Sequence, residues 1–305
     1  MITWTIGAGG LLGSAIQRHV EHSFKATGIP WLNEQQSMQA LAGNYAEFRI
    51  AAGTSEWAII WAAGAATVST STESADQELR VLESLLHHIT SNPPAGKGVF
   101  FLSSSAGGVY AGSSNPPFDI NTAPVSLSPY GDLKLKQEAA TQEILDGTCA
   151  IVIGRFSNLY GPGQNLDKLQ GLISRLALAA ATRQPINIFV SLDTIRDYIY
   201  VDDAARIALQ WVEQASNEPN STTTAIIASG EPTVMGQLIR LVQDVARTKV
   251  PVALGTHSSS AAQISDLRLV PTPTRQSELT RMSLPAGVKL VYQDILRRAQ
   301  LTANI

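Results

Sequence analysis

A tyrosine and a lysine four positions apart, Tyr130 and Lys134, are the residues whose spacing most clearly suggests acid–base chemistry. On a helix, residues four apart share a face, so the ammonium would lie beside the phenol. Ser128-Pro129 precedes them, and proline is favoured in the first turn of a helix. One positive charge at about 5 Å, with an effective dielectric of about 20, stabilises a phenolate by roughly 3 kcal/mol. We therefore predict proton transfer by Tyr130, with a chance pair on a solvated helix as the alternative.

Three consecutive hydroxyls, Ser103-Ser104-Ser105, follow an apolar run that is typical of a buried strand. In open α/β sheets, ligands bind at the carboxyl ends of the strands. A serine at that place can hydrogen-bond a substrate oxygen and stabilise charge that develops during proton transfer. We predict such a role for one of these serines, while a serine-rich loop that only satisfies its own backbone stays an open alternative.

Three glycines at intervals of three, Gly7, Gly10 and Gly13, follow the first predicted strand and precede a helix-forming segment. Glycines there let the backbone turn sharply and approach a pyrophosphate, which then faces the amide groups at the start of the helix. The spacing differs from G-x-G-x-x-G, whose last glycine would fall on Leu12. The order of strand, turn and helix predicts a nucleotide site.

Short β-rich runs alternate with longer helical runs over the first two thirds of the chain, which is typical of a parallel sheet covered by helices. The predicted strands are residues 2–6, 28–32, 57–62, 98–103, 150–156 and 224–228. The predicted helices are residues 11–20, 76–89, 130–145, 203–214, 235–246 and 288–300. We predict an α/β fold, a Rossmann-type doubly wound parallel sheet with a smaller C-terminal substrate-binding lobe. The nucleotide-binding domain would comprise residues 1–165 plus 192–230, and the lobe residues 166–191 plus 231–305.

The composition argues against several kinds of partner. A formal net charge of -3 offers no basic surface for a nucleic acid. The single cysteine, Cys149, cannot close an intrachain disulfide, and the N-terminus lacks the basic segment of a signal peptide. The most apolar long stretch, residues 172–181, falls short of the ~20 residues that cross a membrane. We expect a cytoplasmic protein without a nucleic-acid or membrane partner, and no metal, because His19 and His22 have no further ligand pattern.

These segments, in this order, resemble the extended short-chain dehydrogenase/reductase family, in particular its NAD-dependent epimerase/dehydratase branch. The resemblance covers nearly the whole chain. It also includes Trp61-Ala62-Ala63-Gly64 and residues 103–110. Its most diagnostic segments are Gly154-Arg155-Phe156-Ser157-Asn158-Leu159-Tyr160-Gly161-Pro162-Gly163 and Arg196-Asp197-Tyr198-Ile199-Tyr200-Val201-Asp202-Asp203.

The resemblance implies a role for each catalytic candidate. Tyr130 would be the acid/base, and Lys134 would hold the nicotinamide ribose and make the phenol more acidic. Ser105 would be the hydroxyl partner, although Ser104 stays open. A proton would pass from a sugar hydroxyl to Tyr130 as hydride passes to the nicotinamide, and reduction would run this backwards.

The resemblance also implies two substrate contacts. Asn158 would contact the substrate, and Arg196 would meet the nucleotide diphosphate, since an arginine fork suits phosphate oxygens. An ion pair with Asp193 or Asp202 is the alternative for Arg196. For Arg155 we expect a structural ion pair.

The cofactor implied by the resemblance is NAD or NADP, and the substrate is a nucleotide-linked sugar. The residues expected to contact the cofactor are Gly7, Gly10, Leu11, Leu12, Gly13, Asn33, Ala62, Ala63, Gly64, Ser103, Tyr130, Lys134 and Phe156. A homodimer through the helix that carries Tyr130 and Lys134 is also expected from the family.

Two departures from the family pattern leave the cofactor and the substrate open. Trp31-Leu32-Asn33-Glu34 offers neither a clear acid for ribose hydroxyls nor an arginine for a 2′-phosphate. Two consecutive glycines, Gly107 and Gly108, could re-aim Ser105 and widen the site. An NAD(P)H-dependent reductase of a small non-sugar carbonyl compound is the alternative enzyme, and a non-catalytic nucleotide-sensing protein is the alternative from another class.

Overall fold

The computed structural model describes residues 1–64, 66, 71–166, 171–255, 264–275 and 280–303. Its strands are β1 (Ile2–Ile6), β2 (Trp57–Trp61), β3 (Gly98–Ser105), β4 (Ala150–Phe156), β5 (Asn158–Tyr160), β6 (Ile186–Ile188), β7 (Ile195–Tyr200), β8 (Thr222–Ile227), β9 (Pro232–Val234) and β10 (Val252–Leu254). Its helices are α1 (Leu11–His19), α2 (Glu34–Ala52), α3 (Thr72–Ser91), α4 (Ala106–Val109), α5 (Pro129–Leu145), α6 (Leu172–Thr182), α7 (Val201–Ser216), α8 (Met235–Ala246) and α9 (Leu284–Ala303). Within these ranges, no helix combines the length and apolar character that a membrane crossing requires.

Five parallel strands form the central sheet in the order β1-β2-β3-β4-β8. Strands such as β2, with the sequence WAIIW, are buried along their whole length, because helices cover both faces of the sheet. On one face α2, α3 and α5 pack through residues such as Phe48, Leu85 and Leu145. On the other, α1 and α7 pack through residues such as Ile16 and Trp211. The predicted α/β fold with a parallel, Rossmann-type sheet is confirmed.

β1 is the strand at which the winding of the sheet reverses. On one edge it pairs in parallel with β2, with Ile6 opposite Trp61. On its other edge, Thr3 forms a parallel bridge with Ser23. In open α/β sheets, ligands bind at such a reversal, outside the carboxyl ends of the strands. The turn that follows β1 therefore lies where a ligand is expected.

The predicted strand at residues 28–32 is wrong. The chain makes an isolated bridge at Ser23, and residues 24–30 then run without helix or strand. Pro30 has no N–H to donate to a ladder and restricts the residue before it, which disfavours a strand there.

Three of the described helices were not predicted from the sequence, namely α2, α6 and the four-residue α4. α2 has weak apolar periodicity because Gly43 and the buried polar residues Ser37 and Asn44 interrupt its pattern. α6 has the opposite difficulty, since apolar residues surround most of its axis. A segment that is apolar on most sides gives no clear periodicity, and its burial becomes evident only from its neighbours.

A third hydrophobic cluster, in addition to those on the two faces of the sheet, lies beside the sheet. It joins α6, α8 and α9 with β6 and β7, through residues such as Leu176, Leu238, Val291 and Tyr200. β7 pairs with β5 and β9 rather than with the central sheet. The division of the chain into a nucleotide-binding domain and a substrate-binding lobe stays a prediction.

Candidate active site

A cleft with a cavity volume of about 1320 Å³ opens at the carboxyl ends of β1 to β4. One wall comes from the segments that follow these strands, and the other comes from β6, β7 and α6. Drug-sized ligands typically occupy pockets of about 300–1000 Å³. The cleft is therefore large enough for a dinucleotide together with a second ligand.

The turn after β1 requires glycine at two places. Gly7 has a φ of +88°, and a Cβ there would lie only 2.6 Å from the backbone nitrogen of Ala63. A Cβ on Gly13 would overlap the carbonyl group of Gly7. α1 then begins at Leu11 without a side-chain cap, so N–H groups of its first turn remain available to an anion.

Tyr130 and Lys134 lie at the start of α5, and both line the cleft. Ser128 caps this helix, because its Oγ accepts a hydrogen bond from the Gly131 backbone nitrogen at 3.2 Å. Lys134 Nζ lies 5.8 Å from the centroid of the Tyr130 ring. Among the residues that the structure describes, the Tyr130 hydroxyl has no hydrogen-bond partner, so it is open to a ligand.

Two glycines let α4 and α5 approach each other beneath the tyrosine ring. A Cβ on Gly108 would lie 3.1 Å from Tyr130 Cε1. A Cβ on Gly131 would overlap the carbonyl oxygen of Gly108. The close approach of these backbones fixes where the Tyr130 ring lies.

A buried ionic network lies under the end of β3. Arg155 pairs with Glu138, with 2.6 Å between Nη2 and Oε2, and it also donates to the Tyr110 hydroxyl at 2.7 Å. Ser104 Oγ donates to Oε1 of the same glutamate at 2.5 Å. A buried ion pair needs such additional hydrogen bonds to offset its desolvation. The expected structural ion pair of Arg155 is confirmed. Ser104 belongs to the same hydrogen-bonded network through Glu138.

Ser105 has different surroundings from Ser104. Its Oγ accepts a hydrogen bond from the Gly108 backbone nitrogen at 3.2 Å and so caps α4. Because this contact uses a lone pair, the hydroxyl proton of Ser105 stays available to a ligand. Ser103 Oγ is buried and has no partner among the described residues.

Asn158 and Tyr198 contribute polar groups on the side of the cleft that faces the third cluster, which joins α6, α8 and α9. Asn158 Nδ2 donates to the carbonyl oxygen of Asp197 at 2.9 Å, which leaves its amide oxygen as an acceptor. Burial raises the pKa of Tyr198 to about 12, so this phenol is neutral at neutral pH and does not compete as a base.

Arg196 lines the same wall and is only 9% exposed. Its Nη1 donates to the carbonyl oxygen of Ile195 at 2.9 Å, and it forms no ion pair with any described carboxylate. The alternative pairing with Asp193 or Asp202 is therefore not found, and Asp202 pairs with Arg18 instead. Burial lowers the pKa of Arg196, an effect that an anionic ligand would offset.

The structure brings most of the predicted site residues into this one cleft. They are Gly7, Gly10, Leu11, Leu12, Ala62, Ala63, Gly64, Ser103, Ser105, Tyr130, Lys134, Phe156, Asn158 and Arg196. Gly13 is outside the lining and packs beneath the turn. Asn33 is also outside it and caps α2, accepting from the Gln36 backbone nitrogen at 2.9 Å. In the described ranges, His, Cys, Asp and Glu form no group of three that could hold a metal ion.

Sequence reasoning missed several residues of the cleft wall. Trp31 lines it with 41% exposure and contacts the buried Trp61 edge-on, with ring centroids 6.1 Å apart. Leu32, beside it, is fully exposed. Glu78 of α3 also lines the cleft and accepts a hydrogen bond from Gln137, which lies behind Lys134. The available signal was Trp31 and Leu32 themselves, two large apolar residues directly after Pro30, which disfavours a strand there.

A parallel sheet with a glycine turn after its first strand, and a Tyr-x-x-x-Lys helix beside the same cleft, defines a Rossmann-type nucleotide-dependent enzyme. The chain belongs to the NAD dependent epimerase/dehydratase family, whose model matches residues 6–226. This match confirms the resemblance inferred from the sequence motifs, and with it the predicted class of enzyme.

One relative of described activity agrees with the family assignment. The dTDP-4-dehydro-6-deoxyglucose reductase of Escherichia coli is 28% identical over 169 residues, which are 54% of this chain and 52% of the relative. The match therefore spans about half the length of that relative.

Solved structures share the fold over nearly the whole chain. The UDP-glucose 4-epimerase of Thermus thermophilus, in complex with NAD, has a TM-score of 0.77 at 18% identity, over 97% of this chain and 99% of that one. RMD from Pseudomonas aeruginosa, complexed with NADPH, has a TM-score of 0.76 at 17% identity, over 97% and 99%. At these identities the likeness shows the fold.

Proposed function

We propose that this chain is an NAD(P)-dependent enzyme that acts on a nucleotide-linked sugar, with Tyr130 transferring the proton. The observation that carries the proposal is the presence of Tyr130, Lys134 and the glycine turn after β1 in one cleft. A proton-transfer pair beside an anion-binding turn is suited to hydride chemistry at a hydroxyl or carbonyl carbon.

The residues of the cleft fit a dinucleotide. Gly7 and Gly10 line the cleft without side chains where a pyrophosphate would approach, and the first turn of α1 supplies N–H donors. Residues 62–64, Phe156 and Lys134 would line the nicotinamide half. When bound, the nicotinamide ring accepts a hydride from the substrate or returns it.

The chain's own residues would move and stabilise the proton. Tyr130 takes the proton of a sugar hydroxyl during oxidation and gives it back during reduction. The ammonium of Lys134 stabilises the phenolate through its positive charge. The hydroxyl of Ser105 donates a hydrogen bond to the reacting oxygen and stabilises charge there. Asn158 offers its amide oxygen to a sugar hydroxyl.

Arg196 favours a nucleotide sugar over a small non-sugar carbonyl compound. A buried guanidinium without a carboxylate partner is costly unless an anion binds it. A diphosphate supplies that anion and matches the arginine fork. A small uncharged carbonyl compound would leave Arg196 unpaired.

Reduction of a keto sugar is the second candidate, because the matched relative from Escherichia coli is a reductase of a dTDP-linked keto sugar. Epimerisation, dehydration and reduction all begin from the same placement of Tyr130 and hydride. The fate of the hydride distinguishes them, since an epimerase or dehydratase returns it to the sugar within one turnover.

The test is incubation of the purified chain with a panel of UDP-, GDP- and dTDP-sugars, each with NAD, NADH, NADP and NADPH. Chromatography with mass spectrometry detects an epimer, keto sugar or deoxy sugar, and absorbance follows net cofactor turnover. Tyr130→Phe is the control for catalysis by this site. A panel that stays inert, while small carbonyl compounds are reduced, would contradict the sugar substrate. Turnover that is unchanged in Tyr130→Phe would contradict the mechanism.

The homodimer through α5 is also a proposal from the family resemblance, and the cytoplasmic compartment is a proposal from the single cysteine, Cys149. Light scattering of the purified chain measures the number of subunits. The nucleotide that copurifies, identified by mass spectrometry, distinguishes NAD from NADP.

A further inference from the structure

The ammonium of Lys134 is held by two acceptors. Only 5% of Lys134 is exposed, so its N–H donors need partners within the protein or a ligand. Nζ donates to the carbonyl oxygen of Ser103 at 3.3 Å and to Gln137 Oε1 at 2.9 Å. Gln137 is completely buried, three residues further along α5. The remaining donor is left for the cleft that Tyr130 also lines.

The side-chain amide of Gln137 has one orientation that satisfies both of its neighbours. Its Nε2 lies 3.2 Å from Oε1 of Glu78, on α3. An ionised carboxylate can only accept, and an ammonium can only donate. The amide nitrogen therefore faces Glu78, and the amide oxygen faces Lys134.

Glu78 extends this hydrogen-bonded chain to the segment after β2. Its Oε2 accepts from the Ala66 backbone nitrogen at 3.1 Å. Its Oε1 lies 3.1 Å from where a Cβ of Gly64 would be, so the carboxylate packs closely against that backbone. Ala66, Gly64 and Glu78 all line the cleft. A chain of contacts thus joins the segment after β2, α3, α5 and the end of β3.

We propose that Gln137 is a positioning residue for Lys134 and that Glu78 fixes the orientation of Gln137, an inference that rests on the proposed function. A neutral amide holds the ammonium without cancelling its charge, so the positive charge acts on the Tyr130 phenol. A carboxylate in place of the amide would pair directly with Lys134 and weaken that effect.

The other charged groups around this turn of α5 leave Gln137 as the direct side-chain partner of the ammonium. Glu138, the next residue, is paired with Arg155 on β4. Glu78 on α3 is separated from Lys134 by the Gln137 amide. The contact between Lys134 and Gln137 can therefore be altered by substitution at position 137 alone.

Gln137→Glu is the variant that tests the proposal, because it changes the charge and almost no volume. Gln142→Glu is the matched control, since Gln142 lies on the same helix and is exposed. In the double variant Glu78→Gln/Gln137→Glu, the new amide at position 78 can donate to the new carboxylate at position 137. That carboxylate still lies against Lys134. Gln137→Met removes the amide oxygen that accepts from Lys134 and has a similar volume. It replaces Gln137→Glu as the test variant if Gln137→Glu does not fold.

The first measurement is ionisation of the Tyr130 phenol by NMR of ¹³C-labelled tyrosine, with the signal identified by its absence in Tyr130→Phe. In Gln137→Glu we expect ionisation to move upward by about one pH unit. Glu78→Gln/Gln137→Glu should keep that shift, and Gln142→Glu should show none. In Gln137→Met we expect the Lys134 ammonium to lose its fixed place, which also moves ionisation upward.

The second measurement is the pH–rate profile with the substrate found for the enzyme. In Gln137→Glu we expect the limb of the kcat profile that reports Tyr130 to move upward by the same amount. This is the acid limb for oxidation, where Tyr130 accepts the proton, and the alkaline limb for reduction, where Tyr130 donates it. The Kd for the dinucleotide should change by less than about threefold. Ionisation and pH profiles that match those of Gln142→Glu would overturn the inference. So would a large loss of dinucleotide affinity without any pH shift, because Gln137 would then only support the cleft. Failure of wild type to turn over any nucleotide sugar counts against the proposed function alone, since the NMR measurement needs no turnover.

Discussion

Lys134 Nζ lies 5.8 Å from the centroid of the Tyr130 ring, one helical turn along α5. Tyr130→Phe keeps the ring and removes only the hydroxyl that would transfer the proton. We expect kcat to fall by about 10²–10⁴-fold, while the Kd for the dinucleotide changes by less than about tenfold because one hydrogen bond at most is lost. Steady-state kinetics and isothermal titration calorimetry measure the two effects.

Tyr45→Phe is the control for this substitution. Tyr45 lies on α2 and does not line the cleft. Its hydroxyl donates to the carbonyl oxygen of Asn92 at 2.8 Å. A kcat for Tyr130→Phe no lower than that of Tyr45→Phe would show that another group transfers the proton.

Ser104 and Ser105 are adjacent, but we expect their replacement to affect different properties. The first should mainly lower stability, and the second should mainly lower kcat. Ser104→Ala removes the hydrogen bond to Glu138 in the buried network, so the free energy of unfolding should fall by about 1–3 kcal/mol. Ser105→Ala removes a donor from the cleft, so kcat should fall by about 10–10³-fold, with a smaller loss of stability from the lost cap of α4. Urea unfolding and kinetics on both variants decide between them. A larger loss of kcat in Ser104→Ala, at equal stability, would assign the catalytic hydroxyl to Ser104.

Gly131→Ala on α5 and Gly107→Ala on α4 form a matched pair. A Cβ on Gly131 would overlap the Gly108 carbonyl oxygen and lie 2.7 Å from Ser126 Cβ, so it should force α5 away from α4 and displace Tyr130. We expect a loss of about 1–3 kcal/mol in stability together with a lower kcat. A Cβ on Gly107 would meet Leu267 Cδ2 at an ordinary 3.5 Å, and this variant should remain close to wild type. Equal behaviour in thermal unfolding and kinetics would contradict this account of the contact.

Features encoded in short stretches of sequence were predictable. The apolar runs of β2, β3 and β4 and the apolar periodicity of α3 each identify an element locally. The glycine spacing after β1 and the Tyr130 to Lys134 spacing likewise indicated a nucleotide site and an acid–base pair. Family resemblance then extended these local patterns to Asn158 and Arg196.

Features that depend on distant residues were not predictable. The different surroundings of Ser104 and Ser105 follow from Glu138 and Arg155, which approach β3 only after the chain has folded. The link between Gln137 and Glu78 requires α3 to pack on α5. The missing strand at residues 28–32 was a different case, because β-branched and aromatic residues indicated a strand that Pro30 opposes.

Trp31 gives the cleft an aromatic wall beyond the glycine turn. Asn33 Oδ1 caps α2, and the carboxylate of Glu34 is engaged with Arg80 at 2.6 Å, so the acceptor oxygens of both residues already have partners. Stacking of a base on an aromatic side chain contributes about 1–3 kcal/mol. In Trp31→Ala we therefore expect the Kd for NAD and for NADP to rise about tenfold alike, and Trp31→Phe should retain most of the affinity.

Isothermal titration calorimetry on the same two variants measures this effect. Leu254→Ala is the control, because Leu254 is 62% exposed and lies outside the cleft lining. An affinity in Trp31→Ala equal to that of the control would mean that the adenosine half binds elsewhere.

Arg196 should act on substrate binding rather than on the chemical step. Arg196→Lys keeps the positive charge but loses the planar fork that matches a diphosphate. We expect the KM for a nucleotide sugar to rise about 30-fold, which corresponds to about 2 kcal/mol, with kcat changed by less than about threefold. Arg240→Lys is the control, because Arg240 is exposed on α8 and lies 3.9 Å from Asp244. Inhibition by the free nucleoside diphosphate should weaken in parallel with KM. If the inhibition constant stayed at the wild-type value while KM rose, Arg196 would contact the sugar instead of the diphosphate.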